Sequence, residues 1–302
     1  MRTKKINVIN QKTDGLLNFA DLKYIRYKLL YVSIFCILFL LSLCCILPAI
    51  WVFLSGFKEP SEMYALPPTF LPERIDLKKI VEIWELINFD KYFINTLCII
   101  VGCLLFDLIL NGLGGYVLSK VRPKGSAIVE KLIFATMLLP GVSMIPLYLT
   151  FVDFPILHIN MVGSFAPMWL IAGANAFNIM LFRNYFNGIP KDYFEAAKID
   201  GCSSLGIFFK IVFPMSKPIL AVVSIMSITN SWNNFMWPYL ILGNTEREPI
   251  SVMLYQVANS PVAVMQDNQI MLLMVLVIIP PLIFYSIFSK KIMGGFNMSG
   301  IK

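Results

Sequence analysis

Six stretches of nearly uninterrupted apolar residues, at about 29–54, 93–118, 132–151, 162–182, 218–242 and 270–288, constrain this 302-residue chain more than any other feature. Each is near or above the ~20 residues needed to cross the hydrocarbon core of a bilayer. Lipid offers no partner for a backbone N–H or C=O, so such runs are stable there only as helices or as closed barrels. Apolar runs of this length predict an all-α integral membrane protein of six transmembrane helices. Hydrophobic residues make up 58% of the chain and charged residues 14%, against about a quarter charged in a soluble domain. The connecting segments are too short to hold a catalytic domain, so a soluble enzyme is excluded.

The distribution of charge orients the bundle. Of the 25 basic residues, 19 fall in the N-terminal segment, the loops 119–131 and 183–217 and the C-terminal tail, and 6 fall in the alternate loops. The richer side is cytoplasmic by the positive-inside rule, which places both termini inside. The net charge of +7 is thereby explained without nucleic acid. The first apolar run is far longer than a secretory signal core and has no small-residue cleavage site after it, so it is expected to remain as an anchor. The expected division is a cytoplasmic segment 1–28, a permeating bundle 29–288 containing the loop 183–217, and a cytoplasmic tail 289–302.

Proline and glycine punctuate the spans at Pro48, Pro140, Gly141, Pro146, Pro167, Pro280 and Pro281. A proline frees a backbone carbonyl that only a neighbouring helix or a hydrated cavity can satisfy, so helices kinked around a lined cavity are expected. Five of the six cysteines lie inside apolar runs and no pair has zinc or redox spacing, which reads as small hydrophobes and no metal site. His158 reads as a surface residue of a short outer loop, and the long loop 55–92 as a contact surface.

Loop 183–217, RNYFNGIPKDYFEAAKIDGCSSLGIFFKIVFPMSK, carries the signals of a helix, a break and a second helix. Pro190 suits a first turn, and Asp192 with Glu195 complements the positive end of a helix dipole. Gly201 fits a left-handed stop, Ser203 or Ser204 an N-cap, and Pro214 the approach to the next span. The expectation is a compact projecting knob, with Ala196 and Ala197 together forming a low surface for another protein.

Glu195-Ala196-Ala197, three residues, Gly201, nine residues, then Ile211, one residue, Phe213 and Pro214 resembles the EAA loop of ABC importer permeases. Only Phe213, in place of leucine, departs from the pattern. Segments 95–125, 140–151, 181–201 and 227–242 are similar to the binding-protein-dependent carbohydrate-uptake subfamily, on the side of its shorter, maltose-permease-like subunit. The tail from Gly295 to Lys302 resembles that subfamily's ending, with Ser299 where glycine is usual. The resemblance implies a MetI-like transmembrane fold in the cytoplasmic membrane of a prokaryote. It further implies a second permease subunit, two ATPase subunits and an extracytoplasmic solute-binding protein as partners. It makes Glu195 the charged tip of the ATPase-coupling loop. The chain has no phosphate-cradling G-x4-G-K-[ST] motif, so it is read as a non-enzymatic subunit with no cofactor of its own. ATP and magnesium are expected to be used by the partner ATPase.

A sugar site combines amides with an aromatic platform. On an unbroken helix Asn230, Asn233 and Trp237 share one face and are the leading candidates for the substrate passage, with Asn175 and Asn178 on the fourth run behind them. The competing reading places Trp237 in an interfacial aromatic belt and the asparagines in interhelical hydrogen bonds. Asp107, near the middle of the second run, is expected to face the bundle or water, with Asn111 one turn away to pair with it. The expected function is import of a sugar or oligosaccharide. Import of another small solute, such as a polyol or glycerol phosphate, and ion-coupled carriage are the alternatives.

Overall fold

The computed structural model describes residues 25–67, 69–138, 144–155, 157–260 and 265–297. Among these the chain is helical, apart from one isolated bridge between Phe154 and Ile159. Among the described residues three helices are long and apolar enough to span a bilayer: α1 (Ile25–Phe57), α3 (Phe89–Val121) and the apolar Asp267–Phe288 stretch of the last helix. Between α1 and α3 a short helix, α2 (Lys78–Leu86), lies in the long loop. Lys79 of α2 reaches back to Glu59 at 2.7 Å.

The other expected spans are assembled from shorter pieces. The third run is covered by α4 (Ser126–Leu138) and α5 (Met144–Val152), while the expected kink at Pro140 and Gly141 lies outside the described residues. The fourth is α6 (Ala166–Gly173) and α7 (Ala176–Asn187). The knob consists of α8 (Asp192–Ile199) and α9 (Ser204–Met215), and α9 meets α10 (Lys217–Asn233) at an 84° bend. Then come α11 (Met236–Leu242), α12 (Ile250–Ala258) and α13 (Asp267–Asn297).

The breaks differ from the expectation drawn from proline. α1 runs through Pro48, and α13 runs through Pro280 and Pro281. Pro167 sits in the first turn of α6, where a missing N–H costs nothing. The fourth and fifth runs break instead at asparagine, after Ala174 and at Asn234. Asn175 leaves helical geometry (φ −86°, ψ 109°) and its side chain accepts from the Asn178 N–H at 3.1 Å. Asn234 does the same (ψ 120°) and lies 3.4 Å from the Trp237 N–H. An asparagine side chain replaces the lost intrahelical partner, so the chain changes direction without orphaning its first donors.

Small residues set the closest approaches. A Cβ on Gly115 of α3 would lie 2.6 Å from Phe182 Cβ and 2.7 Å from the Arg183 nitrogen of α7. Only glycine lets those backbones meet, as is common between membrane helices. Three buried clusters result. One, around Phe182, Phe186 and Phe208, lies under the knob; one, around Phe57, Leu272 and Leu273, lies at the opposite end; the third, around Met168 and Leu242, lies between them.

Candidate functional site

Two places concentrate the residues singled out from the sequence: the knob, and a polar cavity inside the bundle.

The knob is held from below by aromatics. Phe194 and Phe208 pack on Tyr116 of α3, with ring centroids 6.4 and 5.4 Å away. Lys120 donates to the Ile189 carbonyl at 2.7 Å and lies 4.7 Å over the Phe194 ring. Gly201 has φ +76° with nothing near its Cβ position, and Ser203 accepts from the Gly206 N–H at 3.1 Å. These are the left-handed stop and N-cap expected from the loop sequence. Asp192 and Glu195 occupy the first turn of α8.

The two alanines do not act together. Ala197 is buried in the cluster under the knob, whereas Ala196 is exposed beside Glu195. Neighbours on a helix point about 100° apart, and α8 turns its Phe194–Ala197 side inward. The outward face therefore carries Glu195, Ala196, Gly201, Tyr193 and Ile199, the last 85% exposed. Ile211 is half-buried against the cluster, and Pro214 is exposed. A cleft of about 540 Å³ runs along the knob, and Lys120, Arg122, Lys191 and Glu195 line it.

The cavity, about 190 Å³, opens between α3, the break in the fourth run and the break in the fifth; Asp107, Asn175, Asn178, Asn230, Ser231 and Asn234 line it. Asp107, Asn111 and Asn178 are buried at 3%, 0% and 4% exposure. Asn111 Nδ2 donates to Asp107 Oδ1 at 2.6 Å, as their one-turn spacing predicts. It donates also to the Ala172 carbonyl at 2.8 Å, and its Oδ1 accepts from the Asn175 N–H at 3.0 Å. Those two backbone groups flank the break between α6 and α7. The Asn111 amide thus stands in for the peptide partners that the broken helix lacks, which fixes which of its ends faces Asp107. Both residues belong to a π-helical turn, Asp107–Asn111, a geometry frequent at functional positions.

Of the sequence candidates, Asn175, Asn178 and Asn230 come together at this cavity. Asn233 and Trp237 do not: the break at Asn234 ends the helical phase that would have aligned them. Asn233 is exposed, and Trp237 packs edge-on against Phe151 at 6.4 Å. Ser231 and Asn234, neither of them among the expected passage residues, line the cavity instead. Their signal was the unusual polarity of the 229–234 segment. His158 is exposed, with Nδ1 3.1 Å from Asp153 Oδ1.

Comparison with known proteins places this arrangement. Residues 110–293 match the model of a family described as "Binding-protein-dependent transport system inner membrane component". The diacetylchitobiose uptake system permease protein NgcG of Streptomyces coelicolor is 26% identical over 259 residues, covering 85% of this chain and 84% of its own. The polygalacturonan/rhamnogalacturonan transport system permease protein YtcP of Bacillus subtilis is 30% identical over 233 residues, 77% of this chain and 79% of its own. Among solved structures, a chain of a bacterial ABC transporter involved in the import of the acidic polysaccharide alginate superposes with a TM-score of 0.76 at 26% identity. That match covers 92% of this chain and 99% of the other.

Proposed function

The chain belongs to the family of binding-protein-dependent transport system inner membrane components, and from that premise we infer that it is the permease subunit of an ABC importer for a sugar or oligosaccharide. Similarity over more than three quarters of the chain to permeases named for glycan uptake supports this reading. The fold, all-helical among the described residues and MetI-like, agrees with it.

In this reading the broken helices complete six spans with both termini in the cytoplasm. The segments 1–28 and 289–302 flank the bundle. α8 and α9 enter a groove of a partner ATPase, which hydrolyses ATP with magnesium. A second permease closes the other half of the passage, two ATPase subunits sit beneath, and an extracytoplasmic binding protein delivers the cargo from the opposite face. The observation that carries the coupling role is the outward face of α8: Glu195 projects beside the exposed Ala196, with Gly201 open just beyond. A charged tip on a low surface suits close docking, while the buried aromatics beneath transmit its displacement to α3 and α7 as one packed body. Ala197, Ile211 and Pro214 shape the knob. Asn175, Asn178 and Asn230 line the passage from this side, and Trp237 packs behind its wall against Phe151.

Mass spectrometry of the proteins that co-purify with the tagged chain from its native membrane in mild detergent tests this. A second six-helix permease and an ATPase are expected. A chain that remains alone after cross-linking in the membrane would contradict the assignment.

A further inference from the structure

The internal cavity has a distinctive charge arrangement. Among its described lining residues the one carboxyl group is that of Asp107, and there is no lysine, arginine or histidine. Every hydrogen bond that Asp107 makes with the surrounding asparagines is one it accepts. Asn111 donates at 2.6 Å to Oδ1, and Asn178 Nδ2 donates at 2.9 Å to Oδ1 and 3.0 Å to Oδ2. The Asn111 donor end is fixed by its bonds to Ala172 and Asn175. Three amide-to-carboxyl contacts of this kind suit a carboxylate, an acceptor-only group.

The location adds to this. Asn178 stands in the first turn of α7, a twelve-residue half-helix that begins at the break. The N-terminus of a helix carries partial positive charge and attracts anions, and in transporters built from broken helices such ends commonly face an anionic substrate group. Here the first turn of α7 already holds an anion, supplied by the chain itself. The other polar lining residues, Asn175, Ser227, Asn230, Ser231 and Asn234, carry amides and hydroxyls that can both donate and accept, set in a wall that also includes Ile99, Met168 and Ile171.

We propose that Asp107 is a specificity-determining residue that occupies the anion position of the half-helix α7, so that the cavity receives neutral sugar hydroxyls and turns away glycans bearing carboxylates. The proposal rests on the sugar-importer reading and narrows it to neutral cargo, in contrast to the acidic glycans named for some relatives. A second negative charge brought to within a cavity's width of Asp107 meets a repulsion on the order of tenfold or more in occupancy at an effective dielectric of about 20.

The test reads the field in the cavity directly and needs neither cargo nor ATP, so its failure is distinct from failure of the importer reading, which co-purification decides. Asn230→Cys and, separately, Ser231→Cys are introduced into the full chain and studied in the assembled complex in membrane vesicles. Each thiol is titrated with two methanethiosulfonate reagents of similar size, one bearing a quaternary ammonium and one a sulfonate. Rates above those of the unsubstituted chain are normalised to a free thiol in solution. The expected result is at least a tenfold preference for the cation at both positions, falling about tenfold when Asp107→Asn is added. Equal rates for the two reagents, a preference unmoved by Asp107→Asn, or no reaction with either reagent would overturn the proposal. Should Asp107→Asn fail to assemble, the preference measured with Asp107 intact decides.

Discussion

Asn178 holds Asp107 by both carboxylate oxygens, its Nδ2 lying 2.9 Å from Oδ1 and 3.0 Å from Oδ2 across 71 positions of sequence. The contact joins α3 to α7 at the break in the fourth run. A carboxylate buried at membrane depth is costly unless its oxygens are satisfied. Asn178→Ala removes two of those contacts, at a cost of about 1–3 kcal/mol or more for a charged group. Thermal unfolding of the purified complex in detergent should show a lowered midpoint, whereas Asn233→Ala, at an exposed position, should not.

Asn111→Leu should be at least as damaging. It strips a donor from Asp107 and also leaves the Ala172 carbonyl and the Asn175 N–H without their described side-chain partner. The buried Asp107 oxygen left short of a donor costs about 1–3 kcal/mol, and the part-buried Ala172 and Asn175 groups add to it. Reduced accumulation of the chain in the membrane, measured beside Asn111→Gln as the conservative control, checks this.

The two alanines of α8 should separate by phenotype. Ala197→Leu overpacks the cluster around Phe194 and Phe208 and should cost about 1–3 kcal/mol in thermal unfolding. Ala196→Asp, on the exposed face, should leave the unfolding midpoint unchanged yet abolish retention of the ATPase during purification. Equal thermal effects would contradict the inward orientation of Ala197.

Glu195→Lys reverses an exposed charge, and Gly201→Asp places a side chain where φ is +76°, at a local cost of roughly 1–2 kcal/mol. Both should insert in the membrane at normal levels and lose cargo-stimulated ATP hydrolysis and uptake. Normal uptake in either variant would sink the docking role of the knob.

How legible this was in the sequence depended on the range of each interaction. The long helices α1, α3 and α13 follow from unbroken apolar runs, because lipid dictates them residue by residue. Gly201 and Ser203 were readable for a similar reason: a left-handed stop and an N-cap act within a few residues. The Asp107–Asn111 pair was readable because one helical turn separates its members. Asn178 as the second partner was not, since the break that brings it to α3 is itself a tertiary feature. Asn175 both lines the cavity and caps a helix, and only the first role is suggested by an asparagine in an apolar run, while Pro48, Pro167, Pro280 and Pro281 sit in a first turn or are carried through. For the same reason Asn233 and Trp237 were assigned to a face that the chain does not maintain. The facing of Ala197 was hidden because a helix of two turns takes its phase from what it packs on.

The central claim is that this permease couples sugar movement to ATP hydrolysis in partner subunits, and uptake into proteoliposomes tests it most directly. The co-purified assembly is reconstituted with ATP and magnesium in the compartment facing the knob. Its binding protein and a labelled neutral oligosaccharide recovered from that binding protein are placed on the other side. Accumulation that requires ATP, persists with a protonophore present and disappears with Glu195→Lys is the predicted result. Accumulation that proceeds without ATP and collapses with the protonophore would contradict the account and identify an ion-coupled carrier.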